Sequence, residues 1–313
     1  MKKNSVFKVF ILFCVAIAMI LGSCRNKDNN VNNNGNNSNN NGNNNGNGGI
    51  NAEIEMIHVP GGSFQMGQNG DQSVPENVSR NVTPVHTVTL TGFYMSRTEV
   101  TQSQYQAVMG SNPASDYGVG GNYPVYNVSW YDAVEFCNKL SITKGLTPAY
   151  RINNSIDPAT WGSVPTSTNA TWDAVEVVSG STGYRLPTEA QWEYAAKGGN
   201  TGETFTYAGS DTVGDVAWYR DNSGYTTHAV GTKAPNGLGL YGMSGNVLEW
   251  CWDWYGGYSS EAQTNPLGAS SGTYRVLRGG NWYNSATFAR SVFRINYYPN
   301  GRNNTFGFRL VRP

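Results

Sequence analysis

Thiols, imidazoles and carboxylates are the side chains that could carry chemistry here, and the first two are scarce. The chain of 313 residues holds 4 Cys and 3 His. Nothing beside Cys137 or Cys251 suggests an activated thiolate, which needs a cationic neighbour or a helix N-terminus. Their spacing leaves two readings open, a disulfide of an exported protein or two buried small hydrophobes. His58, His86 and His228 stand alone, with no His-x-x-x-His spacing, and read as surface or packing residues. From residue 252 to the end there is no cysteine at all.

The C-terminal segment offers binding instead. Residues 278–313 read RGGNWYNSATFARSVFRINYYPNGRNNTFGFRLVRP. Arg278, Gly279, Gly280, Trp282, Ala286, Ala289, Arg290, Arg294, Pro299, Arg302, Gly307, Phe308 and Arg309 recur as a frame. The filling has no helical or strand rhythm. It mixes Tyr, Phe, Asn, Ser, Thr, Gly, Val and Ile, and 283–305 lacks Lys, Gln, Glu, Met and Trp. Those residues cannot be encoded by an NNY codon, so Asn codons of the AAY type rewritten at their adenines would yield this set. The composition is also that of a paratope. Tyr gives contact area with two torsions to freeze, and Ser, Gly and Asn give adaptable hydrogen bonds. The expected ligand contacts are Tyr283, Asn284, Ser285, Thr287, Phe288, Phe293, Ile295, Asn296, Tyr297, Tyr298, Asn300, Gly301, Asn303 and Asn304. Of these, Tyr283, Ser285, Thr287, Phe288, Phe293, Ile295, Tyr297 and Tyr298 should share one exposed patch, with Trp282, Arg290, Arg294 and Phe308 packed or hydrogen-bonded. The competing reading makes the Tyr and Phe rings core.

Short elements must hold such a segment. Charged residues are 13% of the chain, against roughly 25% in ordinary soluble domains, with 38 Gly, 9 Trp and 19 Tyr. That balance suits a loop-rich fold pinned by buried rings. Net charge is zero, and no basic stripe marks a nucleic-acid surface. Capping boxes at Thr101–Gln104, Ser129–Asp132 and Thr188–Gln191 predict three short helices. Gly110 ends the first; Gly198 ends the third. In the second, Ala133, Phe136, Cys137 and Leu140 fall on one face. Strands are expected at Met56–Val59, Phe64–Met66, His86–Leu90, Tyr274–Leu277 and Phe306–Val311. The class is α+β, with both termini contributing strands.

Residues 1–23 read as a lipoprotein signal: Lys2 and Lys3, an apolar stretch, then Leu21-Gly22-Ser23-Cys24. Cys24 would take the lipid. Residues 24–52 read as the anchored Cys and a disordered Asn/Gly tether, spanning roughly 30 Å as a flexible coil. Residues 53–313 form the domain, with the variable region at about 278–309.

Several stretches together carry a resemblance: MIHVPGGSFQMG (56–67), HTVTLTGFYMSRTEVTQSQYQAVMG (86–110), YPVYNVSWYDAVEFCNKLS (123–141), YRLPTEAQWEYAAKGG (184–199) and PNGLGLYGMSGNVLEWCWDWYGG (235–257). With the Gly279-Gly280-Asn281-Trp282 motif, they resemble the formylglycine-generating-enzyme/sulfatase-modifying-factor domain. The resemblance implies a C-type-lectin-like fold. The enzymes use a copper-binding cysteine pair, and the matching positions here hold Asn284 and Ala289. Copper(I) needs soft sulfur ligands, so no oxidase activity is expected and no cofactor is required. The enzymes' calcium stretch matches at Gly245, Val247 and Glu249, but its amide position holds Gly242. A structural calcium is therefore an expectation met only in part; the alternative is that Glu249 hydrogen-bonds its own loop.

The framed tail further resembles the variable lipoproteins of treponemal diversity-generating retroelements. That implies a surface-displayed receptor on the outer membrane, held by its lipid anchor. Its hypervariable site would bind a protein or glycan ligand on another cell, without nucleic acid. The alternatives are a formylglycine-generating-type enzyme with altered chemistry and a structural or motility lipoprotein of the same fold.

Overall fold

The computed structural model of the chain describes residues 53–68 and 82–313. The signal, Cys24 and the tether lie outside the described residues. Those described belong to one unit, Gly48–Pro313.

All three capping boxes form. Thr101, Ser129 and Thr188 accept the N3 backbone N–H, and Gln104, Asp132 and Gln191 reach back. Each satisfies two helix N–H groups that would otherwise lack partners. They start α1 (Gln102–Met109), α2 (Trp130–Thr143) and α3 (Glu189–Ala196). Gly110 (φ 82°) caps α1, and Gly198 (φ 79°) follows the end of α3 in the left-handed conformation. The expected face of α2 is fully buried, and most of its other faces are buried too.

Among the described residues three sheets of three or four strands accompany these helices, besides two two-stranded pairs. The first sets β1 (Met56–Val59) and β10 (Val311–Arg312) on either side of β4 (Phe93–Ser96), so the ends of the domain meet. The second runs β6 (Gln263–Thr264), β3 (His86–Leu90), β2 (Gly62–Met66). The third orders β8, β7, β5, β9, which are Arg294–Tyr297, Arg275–Arg278, Leu248–Trp254 and Phe306–Gly307. In it, β5 pairs antiparallel with β7 and parallel with β9.

Two expectations are corrected. The final strand is broken in two, because the chain leaves the edge of β5 at Gly307 and joins β4 only at Val311. The tail, read as without strand rhythm, contains β8, which pairs residue for residue with β7. Its residues Arg294 and Ile295 are buried or half-buried on opposite faces, which erases the polar alternation that would have announced it.

The core has two large parts beside a small cluster of Ala114, Tyr126 and Val247. One packs α2 against Trp250, Leu277, Phe306 and Phe308; the other packs α3 against β2, β3, β4 and Val276. The strand β7 thus contributes to both.

Candidate functional site

The frame of the tail is built from guanidinium groups. Arg278 is fully buried. Its Nη2 donates to Glu193 Oε2 on α3 at 2.5 Å, and its other bonds reach the carbonyls of Ser291, Val292 and Phe293 at 2.9–3.0 Å. Arg294 grips Glu189 through two bonds of 2.7 and 2.6 Å and donates to the Gly256 carbonyl. Arg309 grips Glu249 at 2.6 and 2.8 Å and donates to the carbonyls of Ser96 and Tyr241. Arg302 forks onto Asp132, the residue that closes the box of α2. Planar forks matched to carboxylates give strong, directional bonds. They fasten the tail to both helices and to the central strand.

Trp282 is 2% exposed. It stacks on Tyr117 with ring centroids 5.0 Å apart, and its Nε1 donates to the Asn304 carbonyl. Its backbone is held by Asn246 and Ser223. Phe308 is fully buried and Arg290 half-buried.

Between these anchors the filling residues divide. Tyr283 is 57% exposed, and Tyr297 and Tyr298 are each 43% exposed. Asn303 is exposed; Asn284, Ser285, Thr287, Phe288, Asn296, Asn300, Gly301 and Asn304 are half-buried. Phe293 is a correction: it is only 5% exposed, packed edge-on to Phe288. Arg278 holds its carbonyl, so its ring is drawn beneath the surface with the frame. Ile295 is half-buried against the α2 core because it sits on β8 facing inward. Gly301 has the Tyr297 ring against it, so a side chain there requires that ring to turn aside.

The exposed rings form two groups. Tyr283 meets Tyr225 and Trp282. Tyr298 meets Tyr274 and Tyr297, and Tyr297 leans on Phe306. Among the described residues no ring contact joins them. Tyr117, Tyr225 and Tyr274 were not anticipated. Only their neighbours in space place them here, although Tyr225 (φ 62°) is a non-glycine residue in the left-handed region, a cost usually met near functional surfaces.

Thiol chemistry has little footing. Cys137 and Cys251 are free and buried, and burial pushes both thiols well up. Asn284 accepts from the Asn281 amide, and Ala289 is 1% exposed.

In the calcium stretch the carboxylate is already engaged. Both Glu249 oxygens are held by Arg309, and Oε2 also accepts from Trp192 Nε1 at 2.6 Å. Its partners are thus the link between β9 and β10, and α3, not its own loop. A side chain at Gly242 would strike the Glu99 carboxylate. Glu99 is buried; its Oε1 accepts from Asn246 at 2.9 Å and its Oε2 has no partner. Burial raises Glu99 to about 7 despite Arg309. Among the described residues no group of three or more His, Cys, Asp or Glu could hold a metal ion.

Comparison with known proteins places these features in context. The sulfatase-modifying factor enzyme 1-like domain matches residues 47–313. The structure of Treponema denticola variable protein 1 superposes with a TM-score of 0.74 at 40% identity, over 82% of this chain and 95% of that one. The chaperone protein LppX of Paenibacillus barcinonensis is 39% identical over 243 residues, 72% of this chain and 81% of its own. The formylglycine-generating enzyme of Streptomyces coelicolor is 28% identical, over 82% of this chain and 88% of its own.

Proposed function

Because this chain belongs to the sulfatase-modifying factor enzyme 1-like family, we propose that it is a binding member of it: a lipid-anchored receptor displayed at the outer membrane surface. The exposed and half-buried filling residues between 283 and 304 serve as replaceable contacts for a protein or glycan ligand. The observation that carries this reading is the division of labour in the tail. Arg278, Arg294, Arg309 and Trp282 hold the backbone from buried positions, and Tyr283, Tyr297 and Tyr298 stand outside. Side chains that do not hold the fold can be exchanged without unfolding it.

The likeness to Treponema denticola variable protein 1 supports the same reading. So does the Paenibacillus relative, whose name is that of a chaperone and not of a catalyst. A copper oxidase would need two thiolates where Asn284 and Ala289 stand. Anchoring at Cys24 rests on the Leu21-Gly22-Ser23-Cys24 motif.

Sequencing this locus across isolates tests the receptor. Replacements are expected at the exposed and half-buried filling positions, with Arg278, Trp282, Arg294 and Arg309 unchanged. Replacements scattered evenly over frame and filling would overturn it, as would turnover of a sulfatase-type Cys peptide by the purified chain. Equal palmitate labelling of the parent and Cys24→Ala would remove the anchor.

A further inference from the structure

Away from the tyrosine surface, a cavity of about 490 Å³ opens beside the end of β5, the start of α3 and the 256–269 loop. Asp253, 4% exposed, stands in its wall. Asp253 Oδ2 accepts the Glu189 backbone N–H at 2.8 Å. Asp253 Oδ1 accepts no hydrogen bond from the described residues and, unlike Glu99 Oε2, is not sealed from the cavity. It lies beside Gly268, another residue of the cavity wall, whose φ is 80° and where a Cβ would strike the carboxylate.

Asp253 itself makes no direct ion pair among the described residues. Glu189 is forked by Arg294 and also accepts from Tyr258 Oη at 3.1 Å. Two other guanidinium groups act on Asp253 without bonding it: Arg275 stacks 3.4 Å over the Trp254 ring and donates to the Trp252 carbonyl, and Arg185 donates to the Leu186 carbonyl and to Gln191 Oε1. Burial, and then the Glu189 charge, push Asp253 up to about 7. A buried carboxylate with a single hydrogen-bond donor is poorly satisfied, and a cation with hydrogen to donate would complete it. The rest of the wall includes Met66, Ala190, Trp254 and Leu267, which suit a hydrocarbon body.

We propose that this cavity binds a small free primary-ammonium compound, its ammonium donating to Asp253 Oδ1 and its apolar body lying against Met66, Trp254 and Leu267. A neutral hydroxyl offers one hydrogen and no charge; an anion meets the carboxylate. This site is independent of the receptor reading and uses none of the tyrosine surface.

The test titrates the purified full chain with cyclohexylammonium chloride and with cyclohexanol, its neutral isostere, by calorimetry and amide NMR. Saturable ammonium binding is expected, shifting the amides of Glu189, Gly257 and Gly268, with cyclohexanol about tenfold weaker or more. Asp253→Asn keeps an acceptor for the Glu189 N–H and should abolish the preference for the cation. Absence of saturable ammonium binding overturns the proposal. So do equal affinity for the two probes, shifts confined to other parts of the chain, or an unchanged preference in Asp253→Asn. If that variant does not fold, the probe preference and the amide map of the parent chain decide alone.

Discussion

Arg294 and Tyr297 belong to the same four-residue strand, yet their situations are opposite. Arg294 is buried, forked onto Glu189 and packed over Tyr255 and Tyr258. Tyr297 is 43% exposed. The same contrast separates Arg278 from Tyr283, five residues apart. The difference teaches how a segment can be fixed and replaceable at once. Arg278 alone donates to three successive carbonyls of the tail. The backbone between anchors is therefore held by groups that are not themselves on the surface. Breaking a buried ion pair by removing one partner costs about 3–5 kcal/mol, whereas exposed substitutions typically stay within about 0.5 kcal/mol.

The sharpest break in that contrast is Arg309→Ala. It would leave Glu249, fully buried, with only the Trp192 N–H for its carboxylate. A loss of about 3–5 kcal/mol is expected in urea unfolding. A shift below 1 kcal/mol would mean the frame does not hold the fold. Phe293→Ser should cost about 3 kcal/mol through the cavity it leaves, while Tyr283→Ser should cost about 0.5 kcal/mol or less. Equal costs would erase the boundary between frame and surface at its most informative pair.

Glu99, beside the Arg309 network, sharpens the comparison through pH. Its carboxyl is raised by burial from an ordinary 4.5 to about 7 in the folded chain. A group raised on folding contributes fully at pH values below its unfolded pKa, and that contribution is lost as pH rises through the folded value. Glu99→Gln removes this loss. The variant should gain about 3 kcal/mol on the parent between pH 4 and 8, read by urea unfolding at both values. A parallel pH dependence of the two proteins would show that Glu99 ionises in the fold without penalty. The smallest expected effect is that of a chelator. Glu249 is held by Arg309 and Trp192, so EDTA should leave the melting temperature unchanged. A drop of several degrees, reversed by calcium, would assign the ion a place here.

Much of the scaffold is legible along the chain because its signals are local. Thr101, Ser129 and Thr188 meet their N3 partners within one helical turn, and all three boxes form as read. The strands Met56–Val59 and His86–Leu90 have the expected ends. The strand Leu248–Trp254, central to the third sheet, was not anticipated. It is buried or half-buried along its whole length, so no alternation of polar and apolar residues marks it. Phe293 and Tyr283 are both aromatic residues in a polar segment, and nothing local separates them. Their burial differs because Arg278 draws the 291–293 backbone inward.

The residue types alone determined that no thiol stands at 284 or 289 and what contacts are on offer. Asn284 and Ala289 cannot supply thiolates in any fold, and the Tyr, Asn and Ser of the tail bring paratope-like side chains wherever they lie. Helix starts were likewise determined by residues three apart. Partnership was not. That Arg309 would close on Glu249, 60 positions away in the sequence, and Arg294 on Glu189, 105 away, is decided by the sheet and helix packing. The same packing leaves Tyr297 outside and Asp253 with one oxygen unmatched. A buried charge is satisfied only by what the whole fold brings within hydrogen-bonding distance, and no stretch of chain contains that distance.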